Sequence, residues 1–145
     1  MIAAEKVQAA IISLLKSRPN LVTAVGEEIR EDNFMSRDFK YPALRVRLPS
    51  VGTRSGDNGE CQPRIADISF SILCYAGGSS SKACAVLASS VFDEIGGDQL
   101  ISADIVPLSR IWLPPGGIIM PVPEGERLWR SEVQLRTMIK QAGLI

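Results

Sequence analysis

Few residues in this chain could do chemistry, and the missing types narrow the possibilities as much as those present. There is no histidine in 145 residues, which removes the commonest general base near neutral pH and the commonest metal ligand. A Ser-His-Asp or Cys-His site cannot be assembled from this chain alone. The three cysteines, Cys61, Cys74 and Cys84, are spaced too widely for a zinc knuckle. Cys74 falls on the apolar face of an alternating segment and Cys84 in a run of small residues with helical period, so both are expected as core side chains. Cys61 stands in a polar stretch without neighbours that would tune a nucleophilic thiol.

The oxygen-rich run SGDNGE, Ser55 to Glu60, has neither the loop length nor the ligand order of a calcium hand; Asp57-Asn58-Gly59 is a turn signal. LPPGG, ending at Gly117, is not followed by Lys-Ser/Thr or a helix start, so it is not a phosphate loop. Glu27, Glu28, Glu31 and Asp32 cluster without apolar surroundings, which makes them a solvated face rather than a general acid and base pair. Trp112 and Trp129 are large enough to stack on a base. Trp129 continues the apolar face of its segment and is expected in the core. Trp112, beside Leu113-Pro114-Pro115, is open to a surface or interface role. The chain is therefore expected not to be an enzyme and to need neither cofactor nor metal.

The elements that position these residues follow from period and punctuation. Ala3, Val7, Ala10, Ile11, Leu14 and Leu15 trace one helical face, which Pro19 ends. Glu5 and Lys6 interrupt the apolar pattern, so the segment reads as an amphipathic helix rather than a signal peptide. No apolar run approaches the roughly 20 residues of a membrane span, and the protein is expected to be made and kept in a cytoplasm. LVTAVGEEI adds a helical turn before Gly26.

Tyr41-Pro42 opens a strand in which Leu44, Val46 and Leu48 face one way and Arg45 and Arg47 the other. Ile68, Phe70, Ile72 and Cys74 alternate in a second strand. Ala83, Val86, Leu87, Ser90, Val91 and Ile95 mark a helix with Ser79, Ser80 or Ser81 as N-cap and Gly96-Gly97 as stop. QLISADIVPL reads as a strand carrying Ile101, Ala103 and Ile105. RLWRSEVQLRTMIK reads as a long strand at a sheet edge, with its charges guarding the open side.

Hydrophobic residues make up 46% of the chain, enough to fill a core. The length suits one domain, residues 1–145. The element order implies an α+β fold: a two-layer sandwich, mostly antiparallel sheet, with a long β-hairpin and two main helices on one face.

Lys plus Arg balances Asp plus Glu at 16 each, unlike the basic excess of a generic nucleic-acid binder. The balance conceals a segregation: Arg37 to Arg64 carries net +3, Gly26 to Asp32 net −3 and Asp93 to Asp104 net −4. Between the first two strands lies a polar tongue, PSVGTRSGDNGECQPR, with residues 50–63 as an extended hairpin loop. Most hairpin connections span about two to five residues. A long tongue, segregated charge and no evident active site describe a protein that works by contacting other proteins.

The order of segments resembles that of the tail-terminator (tail-completion) proteins of long-tailed bacteriophages. The resemblance rests on the helix VQAAIISLLKSRP, the strand entry YPALRVRL, a long loop, the strand ADISFSILCYAGG, the helix KACAVLASSVFDEIGG and the closing strand LWRSEVQLRTMI. It covers nearly the whole chain and is one of pattern rather than of a diagnostic motif.

The resemblance implies a virion structural protein, assembled in the host cytoplasm and sited at the tail-neck junction. Such proteins form rings, typically of six copies, that cap the head-proximal end of the tail tube, end its polymerisation and present the surface that the head joins. The implied partners are further copies of the chain, the tail tube protein and a neck or head-completion protein, with no membrane. DNA would pass through the ring without specific binding, which the zero net charge suits. The tongue could reach on the order of 20 Å beyond the sheet at about 3.3 Å per residue. The expected subunit and tube contacts are Arg45, Arg47, Arg54, Asp57, Asn58, Glu60 and Arg64 on the basic side. On the acidic side they are Asp93, Glu94 and Asp98. Rival readings are another ring protein of the phage neck, a small-ligand-binding regulatory α+β domain, and an enzyme that completes its site with a partner's residues.

Overall fold

A computed structural model describes residues 3–32, 40–54 and 65–141. The chain forms α1 (Ala4–Lys16), α2 (Pro19–Val25), β1 (Ile29–Glu31), β2 (Ala43–Val46), β3 (Ser50–Arg54), β4 (Ile65–Gly77), α3 (Lys82–Ile95), β5 (Ile105–Pro107), β6 (Ile118–Gly125) and β7 (Leu128–Gln141). The seven strands make one open mixed sheet, antiparallel except for the β1–β2 pair. The fold is α+β, as the sequence implies.

Two long strands form the spine of the sheet. β4 and β7 pair antiparallel from Ile65↔Lys140 to Gly77↔Leu128. β2 and β3 share the far side of β4, each covering part of its length. β5 and β6 divide the far side of β7 in the same way. β7 is therefore central, not the edge strand its charges suggest. Those charges lie on the sheet face away from the helices, where Arg136 is exposed, Arg130 and Gln134 are half-buried and Glu132 is buried; they alternate with buried Ser131, Val133 and Leu135.

The core lies between that sheet's other face and the helices. Val7, Ile11 and Leu15 of α1 join Leu87, Ala88 and Val91 of α3 in a single apolar cluster with Leu44, Val46, Ile68, Phe70, Ile72, Val133 and Leu135. Pro19 both ends the first helix and starts the second. It occupies the first turn of α2, where a missing N–H leaves no bond unmade. α2 stops at Gly26, whose φ of 63° suits a residue without a side chain. α3 runs between Ser81 and Gly96, as its punctuation predicts, although the Ser81 hydroxyl makes no cap hydrogen bond.

Three local expectations are corrected. Leu48 does not follow Leu44 and Val46 into the core; it is 58% exposed. Val46 pairs with Ile72, yet Ser50 pairs with Ser69, so the outer chain spends one residue more than β4 between those pairs. An extra residue reverses which face each side chain takes, so Leu48 turns outward and Pro49 is buried. The strand expected over QLISADIVPL is reduced to β5, and Ile101 is exposed. Trp129 is half-buried rather than in the core, and its indole N–H donates to the Gly78 carbonyl at 3.1 Å.

Candidate assembly surfaces

The two strand arginines have different fates. Arg45, an expected subunit or tube contact, is instead buried at 2% exposure. Its Nη2 donates to the Glu28 carboxylate at 2.8 Å, and its Nη1 donates to the backbone oxygens of Glu28 and Leu44 at 3.2 and 3.0 Å. It is a structural cation inside the subunit, where it ties the segment entering β1 to β2. Arg47 stays exposed, 3.1 Å from Glu132 and 3.9 Å from Asp32.

The acidic segments are also largely answered within the subunit. Asp98 pairs with Arg18, Asp104 lies 3.5 Å from Lys6, and Glu94 accepts from Asn20 at 2.7 Å. Asp93 differs: it points from α3 into solvent and forms no ion pair among the described residues. Arg54 closes β3 against Ile65. Asp57, Asn58, Glu60, Cys61 and Arg64 lie outside the described residues.

The sheet face away from the helices carries features that charge counting overlooks. Trp112, 47% exposed, sits beside Arg136, whose guanidinium carbon is 5.9 Å from the ring centroid. The pair is fixed by backbone: Trp112 and Arg136 exchange both N–H···O bonds at 2.9 Å. Two shallow grooves flank Arg136. One, of about 320 Å³, runs toward Arg47 and Leu48; the other, of about 240 Å³, is bounded by Trp112 and Met138. Beyond them the outer strand exposes Ile119, Met120 and Val122. The surface role expected of Trp112 fits this placement. Its pairing with Arg136 was not legible, because the bridge joins residues 24 apart through an irregular segment.

The Cys74 and Cys84 thiols are buried, and the Cys84 Sγ lies 3.2 Å from the Cys74 carbonyl. Burial pushes the Cys74 thiol far up, with the neighbouring Cys84 adding to it; burial also raises Cys84, against the opposing pull of the Ser131 and Ala76 backbone. Both thiols should resist an alkylating reagent at pH 8 in the folded protein and react once it is unfolded in urea, read by mass spectrometry of the labelled peptides. Both ionise more readily in the unfolded chain, so stability should fall as pH rises above about 8.5, the ordinary thiol value. Rapid labelling of either in the native state would contradict the packing.

No cluster of three or more His, Cys, Asp or Glu with metal-binding geometry occurs among the described residues. No helix of the described residues is long and apolar enough to cross a membrane.

No protein-family model matches this chain, and no curated protein does. Its fold is similar to that of a chain in a solved structure described as the virion of a native gene transfer agent (GTA) particle. The TM-score is 0.69 at 17% sequence identity, over 92% of this chain and 93% of that one. The likeness spans essentially the full length of both chains and establishes a shared fold.

Proposed function

We propose that this protein is a virion structural protein of a phage-like particle. In this reading it forms a ring, typically of six copies, that caps the head-proximal end of the tail tube, ends its polymerisation and offers the surface for head joining. The observation that carries the reading is the full-length likeness of fold to a chain of a gene transfer agent virion. It agrees with the segment order that resembles tail terminators. The proposal includes the absence of catalysis: the protein acts by shape and contact.

The surfaces described above fit a subunit that repeats around an axis. Its two layers are different in character, so copies joining one layer to the other make a heterologous contact, and such contacts close into a ring when the rotation allows. A neck ring protein of the same architecture is distinguished by what it binds.

Negative-stain microscopy of the purified protein, alone and mixed with tail tubes of its own particle, tests the reading. Annular particles and tubes of fixed length with a cap at one end are expected. Rings that bind no tube would move the assignment to the neck. A closed two-fold dimer that never forms rings, with or without tubes, would overturn it.

A further inference from the structure

In a two-layer sandwich the sheet face away from the helices is ordinarily polar and wet. Here that face carries exposed Leu48 and Trp112 around Arg136. Arg136 makes no ion pair among the described residues, whereas the neighbouring Arg47 and Arg130 are held by Glu132 and Glu124. An arginine lying over the ring of an exposed tryptophan and flanked by grooves has the composition of a protein-binding hot spot. With its neighbouring arginines already neutralised, the face lacks the array of free cations that a phosphate backbone requires.

The helical layer offers a matching ridge. Val86 of α3 is 57% exposed, and Asp93 on the same helix is exposed and unpaired among the described residues. Seven residues separate them, which puts them on one side of the helix about 10.5 Å apart. On the sheet, Arg136 of β7 and the lane of Leu48 are separated by β4. Two strand spacings make that distance about 9.5 Å.

We propose that α3 of a second copy crosses the outer face of the sheet, with its Asp93 carboxylate on Arg136 and its Val86 in the groove beside Leu48. The carboxylate accepts a charge-assisted hydrogen bond from a guanidinium that the Trp112 ring already orients. The contact joins the sheet layer of one copy to the helix layer of the next, so it repeats around an axis. It names the subunit junction of the proposed ring and rests on that reading.

Charge exchange tests it. Arg136→Glu and Asp93→Arg are made singly and together, and the particle mass is read by analytical ultracentrifugation, with and without tail tubes. Each single variant should weaken self-association at least tenfold, and the double variant should restore most of it. Trp112→Ala should weaken it as well. Thermal melting should stay within a few degrees of the parent throughout, because all three side chains are exposed. Singles that assemble like the parent, or a double variant no better than the singles, would overturn the docking while leaving a ring in place. Loss of duplex DNA binding by Arg136→Glu with assembly intact would overturn it in favour of a nucleic-acid surface. A parent protein that never self-associates would overturn the ring reading together with the docking.

Discussion

Arg45→Met should lower the melting temperature by about 10 °C, an effect expected of a core position rather than of an arginine on an alternating strand. Arg45 is 2% exposed and donates to the Glu28 carboxylate and to two backbone oxygens. Removing one member of a buried ion pair leaves the other charge without its partner, at a cost of about 3–5 kcal/mol. Glu28 keeps 21% of its side-chain surface, so water recovers part of that and the lower end applies. At about 2–4 °C per kcal/mol for a domain of this size, the shift is on the order of 10 °C. Arg47→Met is the control. That side chain is 46% exposed, and its ion pairs should contribute less than about 1 kcal/mol. Adding Glu28→Gln to Arg45→Met should recover part of the loss by removing the stranded charge. Melting followed by circular dichroism decides it; an Arg45→Met protein melting within 2 °C of the parent would mean that the ion pair contributes nothing net.

The same arginine shows what a sequence conceals. Alternation in YPALRVRL assigns Arg45 and Arg47 to one face, and that face is indeed opposite the core. Whether a face is covered depends on other segments. The approach to β1 supplies Glu28 over Arg45, while Arg47, two residues on, is left in water. The acidic clusters mislead for a related reason. Neighbours in sequence with like charge find partners far away, as Asp98 does in Arg18, 80 residues earlier.

Long, strongly periodic segments were legible, because α1, α3, β4 and β7 each repeat their pattern over 13 or 14 residues. Short or interrupted elements were not. β1 has three residues and takes its place from pairing with β2. β6 contains Pro121 and Pro123, which argue against a strand. It forms because it lies at the outside of the sheet, where a missing N–H facing solvent breaks no ladder bond. Gly117 introduces it. A Cβ there would come within 2.7 Å of the Gln134 carbonyl and 2.6 Å of the Leu113 side chain, so only glycine permits the approach to β7. The single extra residue that turns Leu48 outward leaves no mark in composition at all. It is visible only as a register difference against β4, and it gives the groove beside Arg136 one of its apolar walls.

If the proposed capping role holds, replacing residues 55–64 by Asn-Gly should give a folded, soluble protein without capping activity. Arg54 and Ile65 are directly paired across β3 and β4, so a two-residue turn joins them in register, and Asn-Gly suits that turn. The paired residues of β3 are retained, including Val51, which packs against the core opposite Ile68. Shortening a ten-residue connection to two lowers the closure entropy by about 0.6 kcal/mol per halving, so stability should change by only about 1 kcal/mol, in the favourable direction. The deleted segment carries Asp57, Asn58, Glu60 and Arg64, the expected contacts to a neighbouring subunit or to the tube. Its loss should therefore appear in assembly and not in melting. Cys61 leaves with it, so a parent carrying Cys61→Ser must be run in parallel to separate thiol chemistry from reach. The two readouts are thermal melting and capping of tail tubes in negative stain. A shortened protein that melts like the parent and still caps tubes would show that the tongue has no part in assembly. A shortened protein that loses capping and no longer melts cooperatively would show instead that the segment belongs to the fold.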